Sequence, residues 1–303
     1  MSVSIAVIIP TVGRKELYRS VASVLSQTRK PDEIIVCADT VKELDLPASS
    51  LIKVLRVGPG AGGNRARNAG AKAANSEVIA LLDDDDYWLP TYLEKMLSKL
   101  NEEPRSRPWL LSCRVLNSAK QVYPRRVISA GDELITYLTA LKGGVTGKGA
   151  LMTPTLIFPR SMILEVPWDE HLKFHQDMTW IVALKKRFPD LEVIQSSSPL
   201  VVIADTPGSV SKSIPLAQSV DWAKNTLLES GLPGAKLAFG DFLLSRYPAR
   251  AALSRREWRC AYEVFKLARR EGSPSFWAVF YFAGYALRSF VKQPWRNSGA
   301  SAL

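Results

Sequence analysis

Apolar runs alternate with helically periodic segments along the first two thirds of the chain, and this alternation carries most of what the sequence says about fold. Residues 3–9 are β-branched and apolar and stop at Pro10, which predicts a buried strand of a parallel sheet. Between Lys15 and Gln27, the residues Leu17, Tyr18, Val21, Val24 and Leu25 recur at helical spacing. Residues 33–38 and 51–57 predict a second and third strand, and 64–75 an alanine-rich helix. A fourth strand follows over 78–82, then a helix from about 90 to 101 with proline at its start. This order, with short connections, predicts an α/β sandwich around a mostly parallel sheet. In such sheets ligands bind at the carboxyl ends of strands, where Pro10-Thr11, Asp39 and four consecutive aspartates, Asp83 to Asp86, all fall.

Further along, residues 200–204 predict a strand, and 208–213 form a polar loop that reads equally as linker or as a lid whose Lys212 meets a phosphate. Beyond about residue 214 the pattern becomes helical. Ser254 and Glu257 have capping-box spacing, and Trp258, Ala261, Tyr262, Phe265 and Ala268 share one face. After Gly272-Ser273-Pro274, residues 276–287 are without charge. This run is shorter than the roughly 20 residues a membrane span needs. Two readings follow: helices packed on the preceding domain, or an aromatic, basic hairpin lying in the interface of an anionic membrane. Trp277, Tyr281, Tyr285 and Trp295, with cations nearby, favour the second.

Composition sharpens this picture in two places. The net charge of +11 is concentrated at the end: residues 246–296 hold eleven Lys or Arg against three Glu. That excess suits nucleic acid, an anionic membrane surface or an acidic partner. The three cysteines are far apart and odd in number, giving neither a disulfide framework nor zinc spacing, and the first residues have no signal-like pattern. A reducing, cytoplasmic setting is expected.

The aspartates supply the candidate chemistry. Carboxylates this dense repel one another and resist desolvation, so at the mouth of a buried strand they call for a cation. Oxygen ligands at Asp83 and Asp85 suit Mg²⁺ or Mn²⁺, which in turn suits a phosphate-bearing substrate. Gly58-x-Gly60-x-x-Gly63 matches a dinucleotide fingerprint but does not occupy the first βα turn, so a glycine-rich turn capping a helix is expected. His171 and His175 stand four apart without the H-E-x-x-H pattern, so no zinc is expected.

Several motifs together resemble the family 2 glycosyltransferases. Val7-Ile8-Ile9-Pro10-Thr11, Ser23-Val24-Leu25-Ser26-Gln27-Thr28 and Pro31-Asp32-Glu33-Ile34-Ile35-Val36 resemble the family's opening. Asn64-Arg65-Ala66-Arg67-Asn68-Ala69-Gly70 is similar to its A-R-N-x-G segment, and Leu82 to Pro90 to its L-D-x-D-D-x-W-x-P signature. Thr153 to Phe158, Trp168-Asp169-Glu170 and His175 to Trp180 resemble its later stretches, with Val166-Pro167 in place of the usual glycine and Gln176 in place of glutamate. The resemblance implies a GT-A fold with a C-terminal helical extension, a nucleotide-sugar donor, a divalent metal and inversion at the anomeric carbon. It implies a catalytic domain over 1–213, divided into a nucleotide-binding half (1–103) and an acceptor half (104–213), before the basic region 214–303. Asp85, with Asp83, would hold Mn²⁺ or Mg²⁺. Pro10, Thr11, Arg14, Asp39, Arg67, Asp83 and Asp84 would bind the donor, with Asp39 on the nucleobase, and Asp177 would be the base. Thr155, Trp168, Asp169 and Lys212 are candidates for the acceptor pocket or lid. A UDP-sugar donor, a saccharide or lipid-linked acceptor, and a location on the inner face of the cell membrane complete the expectation.

Two other classes compete. A haloacid dehalogenase-type phosphatase also places D-x-D after a strand, but expects Thr or Val where Tyr87 stands. A basic nucleic-acid-binding module would use the terminal charge, but no recognised motif supports it and that charge lies far in sequence from the strand ends. No nucleic-acid partner is expected.

Overall fold

A computed structural model describes residues 3–100, 107–144, 148–204 and 215–291. Lys212, the loop around it, Trp295 and Arg296 lie outside the described residues. The chain divides into two compact units, residues 1–138 with 149–214, and residues 139–148 with 215–303.

In chain order the first unit contains β1 (Ile5–Thr11), α1 (Leu17–Leu25), β2 (Glu33–Ala38), β3 (Ile52–Arg56), α2 (Gly63–Ala73), β4 (Val78–Leu81), β5 (Tyr87–Trp88) and α3 (Tyr92–Ser98). There follow β6 (Trp109–Leu116), β7 (Val122–Tyr123), α4 (Leu134–Thr139), a 3₁₀ turn (Thr153–Thr155), β8 (Ile157–Pro159), α5 (Arg160–Glu165), α6 (Gln176–Arg187) and β9 (Glu192–Val202). Among the described residues these strands form one sheet in the order β3-β2-β1-β4-β8-β6-β9-β5, with β7 beside β6. It is parallel from β3 to β4. Beyond β4 it is mixed: β8 is antiparallel to both β4 and β6, β5 to β9 and β7 to β6, while β6 and β9 are parallel.

The period of two along each central strand divides the core into two layers. Ile5, Val7 and Ile9 of β1, Ile34 and Val36 of β2, and Val78 and Ala80 of β4 face Leu17, Val21 and Val24 of α1. Ala6 and Ile8, Ile35 and Cys37, and Ile79 and Leu81 face the other way, toward Ala66 and Ala71 of α2. Both faces are therefore apolar, which is why these strands read as unbroken hydrophobic runs. At Gly70 an added Cβ would lie 2.7 Å from Ile8 and 2.8 Å from Cys37, so the absence of a side chain lets α2 lie close on β1 and β2.

Pro10 does not end β1, contrary to the sequence expectation. The strand continues to Thr11 because its pairing with β4 stops at Ile8↔Leu81, while pairing with β2 runs on to Thr11↔Ala38. At Pro10 the strand has a neighbour on one side only, the position in which a missing N–H is tolerated.

The second unit contains α7 (Leu216–Thr226), α8 (Ala235–Asp241), a π-helical turn (Phe242–Arg246), α9 (Pro248–Ser254), α10 (Trp258–Glu271) and α11 (Phe276–Val291). Asp241 is wholly buried and anchors the unit by accepting from Leu141 N, Ser275 N and Ser275 Oγ at 3.0, 2.6 and 2.7 Å. The expected capping box is absent. Ser254 is the last residue of α9 and its Oγ is 2.9 Å from the Tyr285 hydroxyl, while α10 starts at Trp258 with no side-chain cap. Arg256, at φ 60°, reverses the chain between the two helices and removes Ser254 from any N-cap position. The buried face of α10 is Ala261, Val264 and Ala268, and Trp258 and Tyr262 are exposed. Among the described residues no helix is long and apolar enough to cross a membrane.

Candidate active site

The carboxyl ends of β1, β2 and β4 lie side by side because these strands are parallel neighbours. Thr11 closes β1, and its Oγ1 donates to Asp84 Oδ2 at 2.6 Å while accepting from Gly13 N at 2.9 Å. The aspartates turn sharply after β4, with Asp86 N donating to Asp83 O at 3.2 Å. Ser20 Oγ, projecting from α1, is 3.0 and 2.6 Å from the carbonyls of Asp84 and Asp86, which share its single proton. This turn divides the carboxylates among three surroundings: Arg67 for Asp83, Arg14 for Asp84 and Asp85, and the chain after β9 for Asp86.

Asp83 accepts from Arg67 Nη2 at 2.8 Å. Asp85 accepts from Arg14 Nη1 at 2.6 Å, and Asp84 lies 3.7 Å from the same guanidinium nitrogen. Asp86 is buried and accepts from Ala204 N at 2.9 Å, tying the turn to the chain after β9. Desolvation raises the Asp83 carboxyl above the usual range against the pull of Arg67, with Asp177 and Asp85 pushing it the same way. Burial likewise raises Asp84 to about 6, opposed by the Thr11 hydrogen bond, and Asp86 to about 8, reinforced by Asp83. Three arginines oppose the charge of the cluster: Arg67 at Asp83, Arg14 at Asp84 and Arg19 at Asp86.

Arg67 is the hub. It lies on the buried face of α2, and its Nη1 donates to Asn64 Oδ1 at 3.1 Å and to Gln176 Oε1 at 3.4 Å. Its guanidinium stands 5.0 Å from the centroid of Trp168. The next residue, Asn68, accepts from Trp168 N and donates to Trp168 O, both at 2.9 Å. Asn64 Nδ2 donates to Asp169 O at 2.6 Å. One face of α2 thus joins the aspartates to the segment that leads into α6.

Asp177 lies in the first turn of α6 and accepts from Thr153 N at 3.1 Å. Its charge reaches Asp83, ninety-four residues earlier in the chain. His175 caps α6 in the left-handed region at φ 54°. Burial pushes His175 down to about 4, so it is neutral at pH 7. The sign of the resulting pH dependence follows: its folded pKa is below its unfolded value, so the associated stability is present above pH 6.5 and is lost as pH falls toward 4. Asparagine tolerates the same backbone region. His175→Asn is expected to flatten this limb, making the difference in unfolding free energy between variant and wild type shift by about 3 kcal/mol from pH 7 to 4. Parallel denaturation curves at the two pH values would rule out the burial of a neutral imidazole.

Asp39, the residue expected to meet the nucleobase, is braced by protein groups. Both carboxylate oxygens are engaged by the glycine-rich turn: Oδ1 accepts from Ala61 N and Oδ2 from Gly62 N, each at 2.7 Å. Asp39 N donates to Thr11 O at 2.8 Å, so this residue ties the turn before α2 to the end of β1. The glycines of the dinucleotide-like pattern have local explanations. A Cβ on Gly58 would lie 1.6 Å from Asp39 Oδ1, and Gly60 sits at φ +83° with open space around it. Gly58→Ala is expected to expel the Asp39 carboxylate from both amides and cost about 2 to 3 kcal/mol, against about 1 kcal/mol for Gly60→Ala. Equal losses in urea denaturation would refute the Asp39 clamp.

The acceptor candidates are also redistributed. Thr155 is fully buried, with Oγ1 donating to Met152 O and 2.7 Å from Ser112 Oγ, so it braces the interior and cannot line an open pocket. Trp168 is buried, stacked on Trp180 at 4.8 Å. Asp169 is exposed in the turn that follows, its Oδ1 accepting from His171 N. Asn68 and Gln176 fall within the motifs noted in the sequence without an expected role there, and here they organise the site. Pro10 is buried beneath Thr11, and Arg14 stays partly exposed on the rim.

Residues 6–110 match the family model described as glycosyl transferase family 2. That segment contains β1, α2 and the aspartate turn. It is 34% identical over 102 residues to an uncharacterized glycosyltransferase, YwdF, of Bacillus subtilis, covering 32% of this chain and 38% of that protein. It is 35% identical over 107 residues to the Escherichia coli UDP-Glc:alpha-D-GlcNAc-diphosphoundecaprenol beta-1,3-glucosyltransferase WfaP, covering 33% and 42%. The matches thus span about two fifths of these curated relatives. Among solved structures, S. aureus TarS 1-349 in complex with UDP-GlcNAc superposes with a TM-score of 0.61 at 14% identity, covering 97% of this chain and 93% of that one. This likeness shows the fold, a GT-A α/β sandwich with helices beyond it.

Proposed function

We propose that the chain is an inverting glycosyltransferase that moves a sugar from a UDP-sugar to a saccharide hydroxyl on a lipid-linked acceptor, in the synthesis of a surface polysaccharide or glycolipid. The observation that carries this reading is the convergence, at the carboxyl ends of parallel strands, of the aspartate turn, Arg67 and Asp177. The donor assignment draws on WfaP, whose name specifies UDP-Glc and a diphosphoundecaprenol-linked GlcNAc, and on the UDP-GlcNAc complex of TarS.

In this reading Asp83 and Asp84 face the donor, with Arg67 and Arg14 offering positive charge beside them. Asp177 takes the proton from the acceptor hydroxyl as that oxygen bonds to the anomeric carbon. The bond from that carbon to the diphosphate breaks, and its electron pair leaves with UDP. One base on the face opposite the leaving group is what an inverting, in-line displacement requires.

A divalent metal fits the donor set in one particular way. Among the described residues no three His, Cys, Asp or Glu side chains converge to hold an ion. Asp85 and Asp83 provide hard oxygens of the kind that suits Mg²⁺ or Mn²⁺, and they are the residues that would hold the ion. When bound, such an ion would neutralise charge on the departing diphosphate.

A lipid-linked acceptor agrees with the surface of α11. Phe276, Phe280, Leu287, Phe290 and Val291 are all more than half exposed and fall on one stripe of the helix, with Arg288 at its edge. Such a stripe suits the interface of an anionic membrane. Replacing both Phe280 and Leu287 by aspartate should abolish sedimentation with phosphatidylglycerol vesicles.

The deciding experiment supplies UDP-, GDP- and dTDP-sugars, with Mn²⁺ or with EDTA, to the full chain and a synthetic GlcNAc-diphospholipid. Transfer from a UDP-sugar, only with the divalent ion and with a β-linked product, is expected. Failure of every UDP-sugar would refute the function, full activity in EDTA the metal, and an α-linked product from an α-linked donor the inversion.

A further inference from the structure

The second unit holds a cationic cluster that the proposed chemistry does not use. Lys148 directs its Nζ to Ser245 O and lies 4.5 Å from the centroid of the Tyr281 ring. Arg250 stands 5.6 Å from the centroid of Tyr285, and the two tyrosines stack at 6.1 Å. Arg246 and Arg250 both act electrostatically on Lys148, and these charges, after burial, bring its pKa down to about 7. Among the described residues neither Lys148 nor Arg250 has a carboxylate partner. Asp241, the buried acid of this unit, accepts from Leu141 and Ser275 and interacts electrostatically with Arg246, not with Lys148 or Arg250.

Two cations, one from the segment before Gly149 and one from α9, therefore stand over two stacked aromatic faces, and the charge of Arg246 also acts on Lys148. Stacking on a ring recovers part of the cost of burying a cation but leaves its charge uncancelled. An anion would cancel it, and a phosphate group matches a fork of guanidinium donors beside an ammonium. The position on α11 also matters. At about 100° per residue, Tyr281 and Tyr285 lie on the flank beyond Arg288, outside the exposed apolar stripe. With that stripe in the acyl region, the cluster would stand at the side of the helix, where lipid phosphates are found.

We infer that Lys148 and Arg250, set over Tyr281 and Tyr285, form a binding site for a phosphate group, either of a lipid headgroup or of a free phosphate compound. The lipid source rests on the membrane reading given above, whereas the site itself does not.

The test labels the amines of the full chain with an acylating reagent at pH 8 and maps Lys148 against the exposed Lys266 by peptide mass. The probes are sodium pyrophosphate in EDTA, phosphatidylcholine vesicles, and the same vesicles containing phosphatidic acid. At least fivefold protection of Lys148 by pyrophosphate or by phosphatidic acid is expected, with less than twofold change at Lys266 and loss of the protection in Arg250→Gln. Protection by pyrophosphate shows that a free phosphate enters, and protection by phosphatidic acid vesicles alone restricts the ligand to lipid. No protection by either probe, equal protection by phosphatidylcholine alone, or protection undiminished in Arg250→Gln would overturn the site. Vesicle sedimentation without Lys148 protection refutes the site and spares the membrane reading. Pyrophosphate protection without sedimentation does the reverse.

Discussion

Asp177→Asn is expected to lower kcat for sugar transfer by about a thousandfold while leaving donor affinity within twofold of wild type. The substitution keeps the shape of the side chain and an oxygen that can still accept from Thr153 N, so α6 should start where it does now. What it removes is the capacity to take a proton. Asp177 is also a source of the negative charge that raises Asp83, and its neutralisation should let Asp83 ionise more readily. A general loss of site integrity would weaken the donor; loss of a base would not. Titrating UDP-sugar in the presence of Mn²⁺, beside a single-turnover transfer assay, separates the two. If the variant retains a tenth of wild-type kcat, Asp177 is not the base. If donor affinity falls in parallel with turnover, its role is positional.

The sequence reveals more of this site than of the scaffold around it. β1, β2 and β4 are legible because both their faces are buried, which forces continuous β-branched runs, and the Asp83–Asp86 turn stands out because charge is improbable there. The mixed half of the sheet is harder to read: β8 is three residues long, and β9 passes through Gln195-Ser196-Ser197-Ser198, a run with no apolar signal. Asp39 illustrates a different limit. Its position after β2 places it near the other strand ends, yet its engagement by two amides depends on the path of the glycine turn. Gly58 is required by a side chain nineteen residues earlier, which no local pattern records. Thr155 likewise carries a polar label in the sequence, and only its packing against Ser112 shows that the hydroxyl is satisfied internally.

Removing Arg67 should produce the second large effect, and its cause can be isolated. Arg67→Ala is expected to destabilise the chain by about 2 to 3 kcal/mol and to lower kcat/KM more than a hundredfold. The stability figure is set below the roughly 3 to 5 kcal/mol typical of a broken buried pair, because Asp83 retains partial exposure. Without the guanidinium, Asp83 would face Asp85 and Asp177 with no cation bonded to it, and Asn64 and Gln176 would lose a shared donor. If stranded charge dominates, adding Asp83→Asn to Arg67→Ala should restore at least half of the lost stability. Activity should stay low, because a donor-facing carboxylate is then missing as well. Arg67→Lys tests the geometry: an ammonium restores the charge but cannot bridge Asp83, Asn64 and Gln176 while lying over Trp168. It should recover stability better than turnover. Denaturation of wild type, Arg67→Ala, Asp83→Asn and the double variant, analysed as a double-mutant cycle, measures the Arg67–Asp83 coupling directly. A coupling below 0.5 kcal/mol would mean that α2 is held by packing alone and that Arg67 is not what joins the aspartate turn to α6.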